Sequence, residues 1–174
     1  SSDAAFMIRL LDERFRLNIG NPEMEKYAAR LGADCAFFIE AEPAYAEGIG
    51  DELMPVDGPK GNLNGYYLAI VKPDIAVSTK EAYAAITPTA TSKSCREIVR
   101  QPIETWKEEM VNDFEAPIFK LHPELAEIKE KLYQQGAKYA AMSGSGSALF
   151  GIFETEPNGL KEMFQDCFCE VLKL

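Results

Sequence analysis

Basic side chains are in short supply in this sequence: eighteen Lys and Arg stand against twenty-eight Asp and Glu, a formal charge of −10 over 174 residues. The two signs are interspersed, so no basic face is available to neutralise a phosphate backbone, which argues against nonspecific nucleic-acid binding. A small phosphorylated ligand stays open, because backbone N–H groups at a helix N-terminus hold phosphate without any lysine. Cysteine is sparse as well. Cys35, Cys95, Cys167 and Cys169 are too few for a disulfide scaffold and lack the paired spacing of a metal site. All four read as reduced packing residues, since a free thiol behaves as a small hydrophobe. No apolar run approaches the roughly 18 residues of a membrane span, and no basic stretch followed by an apolar one opens the chain. The expectation is a soluble, cytoplasmic protein with no membrane partner.

What the chain does contain is globular: 47% hydrophobic and 26% charged residues, enough length for one ordinary domain or two small ones. Ser1-Ser2-Asp3 supplies capping residues, and Met7, Leu11 and Phe15 follow at i, i+4, i+8, so a helix is expected almost from residue 1. After a break over residues 18–22, Met24, Ala28 and Leu31 mark a second helix ended by Gly32. Residues 45–56 alternate around Gly48-Ile49-Gly50 as a strand with a tight bend. Residues 65–71 read as a strand stopped by Pro73.

Ser78 with Glu81 three residues on has the form of a capping box, placing a helix through Tyr83. Residues 87–94 read as a polar loop. Ile103, Trp106 and Met110 are placed on one helical face, and Leu125, Ile128 and Leu132 on another that starts at Pro123. Strands are expected over residues 138–142 and 148–153 around a Ser143-Gly144-Ser145-Gly146-Ser147 turn, then a short helix near Leu160 and a last strand carrying Cys167 and Cys169 on one face. From Tyr66 onward the pattern is α+β with a largely antiparallel sheet. A boundary falls near residues 57–64, where Gly, Pro and Asn concentrate.

Three places could carry chemistry, each with an ordinary alternative. The Ser1-Ser2-Asp3 helix start presents unpaired N–H groups and hydroxyls suited to phosphate, or is a plain cap. Asp34, in a turn before Ala36-Phe37-Phe38-Ile39, could accept a hydroxyl proton, or is a solvated turn residue. The serine-glycine turn at 143–147 lets a ligand approach the backbone and offers donors to an anion, or is a plain hairpin.

Taken in order, Ser1-Ser2-Asp3-Ala4-Ala5, Leu31-Gly32-Ala33-Asp34-Cys35-Ala36-Phe37-Phe38 and Met142-Ser143-Gly144-Ser145-Gly146-Ser147 resemble the GHMP kinase superfamily. Within it, Gly48-Ile49-Gly50, the Lys72-Pro73-Asp74 run through Thr79 and Tyr83, Asn112-Asp113-Phe114-Glu115 and His122-Pro123-Glu124-Leu125 are similar to the branch that phosphorylates a cytidine diphosphate ester of methylerythritol. The resemblance runs to about Phe153 and departs at Cys35-Ala36, where that branch commonly has Val-Pro.

It implies a two-domain architecture, with residues 1–60 the remainder of a truncated N-terminal, ATP-binding domain and residues 61–174 the C-terminal domain of antiparallel sheet plus helices. It implies ATP and Mg2+ as cofactors and phosphoryl transfer to the 2-hydroxyl of the cytidine diphosphate substrate, in non-mevalonate isoprenoid synthesis. Asp34 would be the proton acceptor, Ser1 and Ser2 would hold ATP phosphates with Ser2 a metal ligand, and Thr79 and Tyr83 would contact the cytidine side. Ser143, Gly144, Ser145 and Gly146 would form a glycine loop near the active site. The remaining glycines of the phosphate loop, a lysine beside the aspartate and further cytidine contacts are expected upstream of Ser1. These residues alone are therefore expected to be inactive, with the Met7, Leu11 and Phe15 face left exposed. A kinase for mevalonate, homoserine or a sugar, a noncatalytic ligand-binding remnant, and a homodimer remain open alternatives.

Overall fold

The computed structural model describes residues 1–56, 63–87 and 93–174. Two compact units result, residues 1–61 and 62–174.

In the first unit, α1 (Ser2–Phe15), α2 (Asn21–Ala29) and the short α3 (Phe37–Glu40) surround a small core of Ala5, Met24, Ala28, Cys35 and Ile39. Pro22 sits in the first turn of α2, where its missing N–H costs nothing. The α1–α2 link is pinned by the Ile19 amide donating to Asp12 Oδ1 at 2.8 Å. β1 (Ala44–Glu47) and β2 (Glu52–Pro55) form an antiparallel hairpin around Gly48 and Gly50, both at positive φ.

The sequence pattern locates these elements; it errs at Leu31, while the Met7, Leu11 and Phe15 face is exposed as expected. Leu31, expected beside Met24 and Ala28, lies beyond the end of α2 and is 65% exposed. The Met7, Leu11 and Phe15 stripe is 53%, 44% and 64% exposed, while the small Ala4, Ala5 and Ile8 side of α1 meets the core. Small residues let α1 approach its neighbours closely, which leaves its bulkiest side chains outside this unit's core.

The second unit is built on β3 (Tyr67–Pro73), paired antiparallel with β5 (Leu149–Phe153) on one edge and β6 (Cys167–Lys173) on the other; β4 (Tyr139–Met142) completes the order β4-β5-β3-β6. Side chains alternate with the period of two that a pleated strand imposes. Ala69, Val71, Ala140, Met142, Leu149 and Phe153 face one apolar cluster, closed by Leu125, Ile128 and Leu132 of α8 (Pro123–Gln134). Tyr139, Ala141 and Ile152 face the other, closed by Ile98, Ile103 and Trp106. Both faces are covered, which explains why β4 is a continuous apolar run. Fully burying a leucine such as Leu132 contributes about 1.5–3 kcal/mol.

Around this sheet lie α4 (Thr79–Ala85), α5 (Cys95–Ile98), α6 (Trp106–Glu109), α7 (Glu115–Leu121) and α9 (Leu160–Met163). Ser78 Oγ accepts the Glu81 amide at 3.3 Å, one arm of the expected capping box. Both arms are present at Ser94, the last residue of the stretch read as loop, and Glu97 beyond it; residues 88–92 of that stretch lie outside the described residues, as do residues 57–62 at the expected boundary. Ile103, Trp106 and Met110 do not share one helix. A 3-10 turn, Ile103–Thr105, precedes the single turn of α6, and Met110 is already extended. Cys167 and Cys169 do lie on one face against the core, Cys35 is buried, and Cys95 is exposed rather than packed. Among the described residues no helix is long and apolar enough to cross a membrane.

Tyr139 ties the second cluster together. Its ring meets Trp106 and Phe150 at centroid distances of 5.8 and 5.9 Å, and its hydroxyl donates to the Met110 carbonyl at 3.0 Å. Burial, followed by the nearby Glu115 carboxylate, raises its pKa well above the ordinary value of 10.0. The unfolded chain therefore loses this proton first. Its contribution is intact below pH ~10 and is lost as pH rises from there through the folded value. Urea midpoints measured from pH 8 to 11 should fall more steeply in the wild type than in Tyr139→Phe.

Candidate active site

In the first unit, Gly32 leads into a 3-10 turn, Ala33–Cys35, that presents the exposed Asp34 carboxylate. Cys35 and Ile39 anchor the turn in the core behind it. Asp34 Oδ1 lies 3.6 Å from where a Cβ on Gly50 would stand, so the carboxylate sits against the hairpin bend, where Gly50 takes the φ of 100° that favours glycine. At the start of α1, Ser1 makes no side-chain capping bond; its carbonyl accepts the Ala5 amide at 3.3 Å. The amides of the first turn have no intrahelical acceptor and, with the hydroxyls of Ser1 and Ser2, form an electropositive helix end.

A cleft of about 660 Å³ in the same unit is lined by Pro22, Glu25, Phe37, Glu40 and Leu53, among others, and contains neither Asp34 nor the serines. Partial burial and then Glu40 raise the Glu25 pKa. With carboxylates and, among the described residues, no lysine or arginine in its lining, this cleft suits phosphate less well than the geometry around Asp34 does.

In the second unit the structure brings together the other expected residues. The 143–147 turn closes with Ser143 N to Ala148 O at 2.8 Å and Gly146 N to Ser143 O at 3.0 Å. Thr79, in the first turn of α4, places Oγ1 3.4 Å from Ser145 Oγ. Ser147 is buried, and its hydroxyl donates to Ile75 O at 2.5 Å. Tyr83, one turn along α4 from Thr79, is 63% exposed and stands edge-to-face on Phe114 with centroids 4.9 Å apart. An open glycine turn and a supported aromatic surface therefore flank the N-terminal half of α4. A ligand with an anionic part and a planar part suits that pair.

Two groups that the sequence did not mark as site residues hold the turn in place. Asn112 Nδ2 donates to Met142 O at 2.7 Å and to Gly144 O at 2.8 Å, and Asn112 Oδ1 accepts the Phe114 amide at 2.9 Å. Glu115, buried, accepts the Met142 amide on Oε1 at 2.7 Å and pairs with Lys129 through Oε2 at 2.6 Å. The only sequence signal was that both fall in the Asn112-Asp113-Phe114-Glu115 run.

With this geometry in hand, residues 95–168 match the family described as GHMP kinases C terminal. Residues 95–168, which lie inside the second unit, form a GHMP kinase C-terminal domain, with the mixed helices and antiparallel sheet expected of it. More particularly, the chain is 50% identical over 169 residues, 97% of its length, to the 4-diphosphocytidyl-2-C-methyl-D-erythritol kinase of Bacteroides fragilis. It is 51% identical over 170 residues, again 97% of its length, to the enzyme of that name from Parabacteroides distasonis. The chain spans 61% of the length of each. A crystal structure of 4-(cytidine 5'-diphospho)-2C-methyl-D-erythritol kinase superposes with a TM-score of 0.76 at 25% identity, covering 99% of this chain and 64% of that one.

The two turn glycines differ in what they tolerate. A Cβ on Gly146, at φ 91°, would stand 2.7 Å from Met142 Sδ, whereas one on Gly144, at φ 55°, meets nothing within 4 Å. Gly144→Ala should cost only the backbone strain of positive φ, roughly 1 kcal/mol. Gly146→Ala adds a clash and should lower the melting temperature further. Thermal melts of the two variants side by side check the difference.

Proposed function

We propose that the protein to which this chain belongs transfers the γ-phosphoryl group of ATP to the 2-hydroxyl of 4-diphosphocytidyl-2-C-methyl-D-erythritol, a step of non-mevalonate isoprenoid synthesis. The observation that carries this reading is the 50% identity along 97% of the chain to a kinase named for that substrate. The local geometry supplies the means. Residues 1–60 are read as part of the ATP-binding domain, and residues 61–174 as the C-terminal domain.

Phosphoryl transfer needs positioning and charge neutralisation more than covalent help from the protein. The first-turn amides of α1 with the Ser1 and Ser2 hydroxyls suit the ATP phosphates. Magnesium, when bound, neutralises phosphate charge, and it typically takes one or two protein oxygens beside the phosphate oxygens. Ser2 supplies one such oxygen. Among the described residues no group of three or more His, Cys, Asp or Glu side chains could hold a metal by itself. The donor set fits a metal held mainly through its nucleotide.

Asp34 is assigned as the acceptor of the substrate hydroxyl's proton, since an exposed carboxylate on an anchored turn can reach a bound alcohol. Tyr83 is assigned to stack on the cytosine and Thr79 to line the same side, with Ser143, Gly144, Ser145 and Gly146 beside the phosphates or the diphosphate bridge.

Two measurements on the full-length protein test these roles. Asp34→Asn keeps the shape and removes the base, so kcat should fall by roughly 10² to 10⁴ while ATP still binds; near-normal turnover would remove Asp34 from the mechanism. Tyr83→Ala should weaken the cytidine substrate by at least several-fold, as loss of about 1–3 kcal/mol of stacking requires. ATP affinity should be unchanged, and weakened ATP with an intact cytidine KM would reassign Tyr83 to the nucleotide donor.

A further inference from the structure

Two of the features just described are held by one short segment. Within residues 112–115, Asn112 and Glu115 bond to the glycine turn and the end of β4, and Phe114 meets Tyr83. Asn112 Nδ2 bridges Met142 O and Gly144 O, on either side of Ser143. Its Oδ1 is occupied by the Phe114 amide, so the carboxamide has a donor end and an acceptor end each matched to its partner and cannot be turned over without losing three bonds. Glu115 then grips the amide of Met142, the residue whose carbonyl Asn112 holds. That grip is stiff because the carboxylate is buried and its second oxygen is neutralised by Lys129 on α8 at 2.6 Å. Between them, Phe114 is the ring on which Tyr83 stands.

The turn needs such restraint. Gly144 and Gly146 carry no side chain to limit their backbone, and the strand ends at Met142. The remaining bonds within the turn, Ser143 N to Ala148 O and Gly146 N to Ser143 O, leave the Gly144 carbonyl to Asn112.

We infer that residues 112–115 act as a bracket that presets the spacing between the glycine turn and Tyr83, with Asn112 and Glu115 as positioning residues for the turn and Phe114 as the positioning residue for Tyr83. The inference rests on the kinase reading above for its catalytic consequence, but its structural half does not. The turn is the part placed beside the phosphates, so releasing it acts on turnover. Tyr83 is the part placed on the cytosine, so releasing it acts on substrate affinity. A segment that merely stabilised the fold would lower the melting temperature and move both parameters together.

The test uses full-length protein carrying Asn112→Ala, Asn112→Asp or Phe114→Leu, with hydrogen exchange and steady-state kinetics read on each. Asn112→Asp keeps the acceptor for the Phe114 amide and removes the donor, and so serves if the alanine variant folds poorly. Exchange at the Ser143 and Gly146 amides should rise by at least about tenfold in the Asn112 variants, since one lost hydrogen bond already accounts for about that much and these variants lose two or three. Exchange in β3 should not change. Displacement of a positioned group by about 1 Å costs up to ~10²-fold, so kcat should fall by roughly 10- to 100-fold, with a much smaller change in the cytidine KM. Phe114→Leu should show the reverse split, a several-fold higher cytidine KM and a nearly unchanged kcat. Unchanged exchange at the turn overturns the bracket. Raised exchange with unchanged kcat shows that the turn is held but not used, and overturns the positioning role. A wild-type protein that phosphorylates no cytidine substrate overturns the kinase reading and, with it, the catalytic half, while the exchange result still decides the structural half.

Discussion

The second unit depends on one strand being satisfied along both edges. β3 pairs with β6 from Tyr67 to Pro73 and with β5 from Tyr67 to Val71, so its central, buried stretch is paired on both sides. Only then can Ala69 and Val71 be fully buried and Leu68 pack on the opposite side. Two clusters form back to back across a single sheet, and the helices that close them carry or support the candidate ligand-contacting groups. Thr79 and Tyr83 follow β3 directly in the chain, whereas the glycine turn joins β4 to β5. Pairing of β5 with β3 is what brings the turn to α4.

A buried carboxylate sets the next level of organisation. Glu115 would be costly inside an apolar cluster if left alone, and it is tolerated because Lys129 and the Met142 amide take up its oxygens. The same interaction ties α7 to α8 and both to the end of β4. Removing Lys129 leaves the Glu115 charge buried without its partner, which typically costs about 3–5 kcal/mol. An ion pair of this kind does not add much net stability. What it contributes is register, because only one placement of Met142 satisfies it.

The first unit is organised differently. Its core is made of small or medium side chains, Ala5, Ala28, Cys35, Met24 and Ile39, so it buries little apolar surface of its own. Phe6, Met7, Leu10, Leu11 and Phe15 project outward from α1. Asp34 is nevertheless well fixed, since its turn is stitched between Gly32, where Cys35 N bonds to the carbonyl at 3.0 Å, and the buried Cys35 and Ile39. A catalytic carboxylate needs this combination of an anchored backbone and an exposed side chain.

Local patterns carried much of this protein. The alternation in residues 65–73 and 148–153, the helix signals at Pro123 and Gly136, and the glycines at 144 and 146 place the strands, α8 and the turn. The order of the Ser1-Ser2, Gly-Ala-Asp and Ser-Gly-Ser-Gly motifs pointed to a GHMP kinase fold, because short motifs in a set order constrain far more than each does singly. Other features were not local. Leu31 looks like a core residue by spacing, and its exposure depends on which neighbours the chain brings to it. Ile103, Trp106 and Met110 share a helical period, but covering a twisted sheet face favours a 3-10 turn and one short helix over a continuous rod. Asn112 and Glu115 are ordinary polar residues in the sequence, and their partners at Met142 and Gly144 lie about thirty residues away. The sequence by itself therefore determined most of the elements, through near-neighbour sterics and periodicity, and the order of its motifs gave the resemblance from which the candidate chemical groups come. Tertiary structure alone decided which polar side chains hold the glycine turn, because a hydrogen bond is specified by the meeting of two groups in space and not by either one's place in the chain.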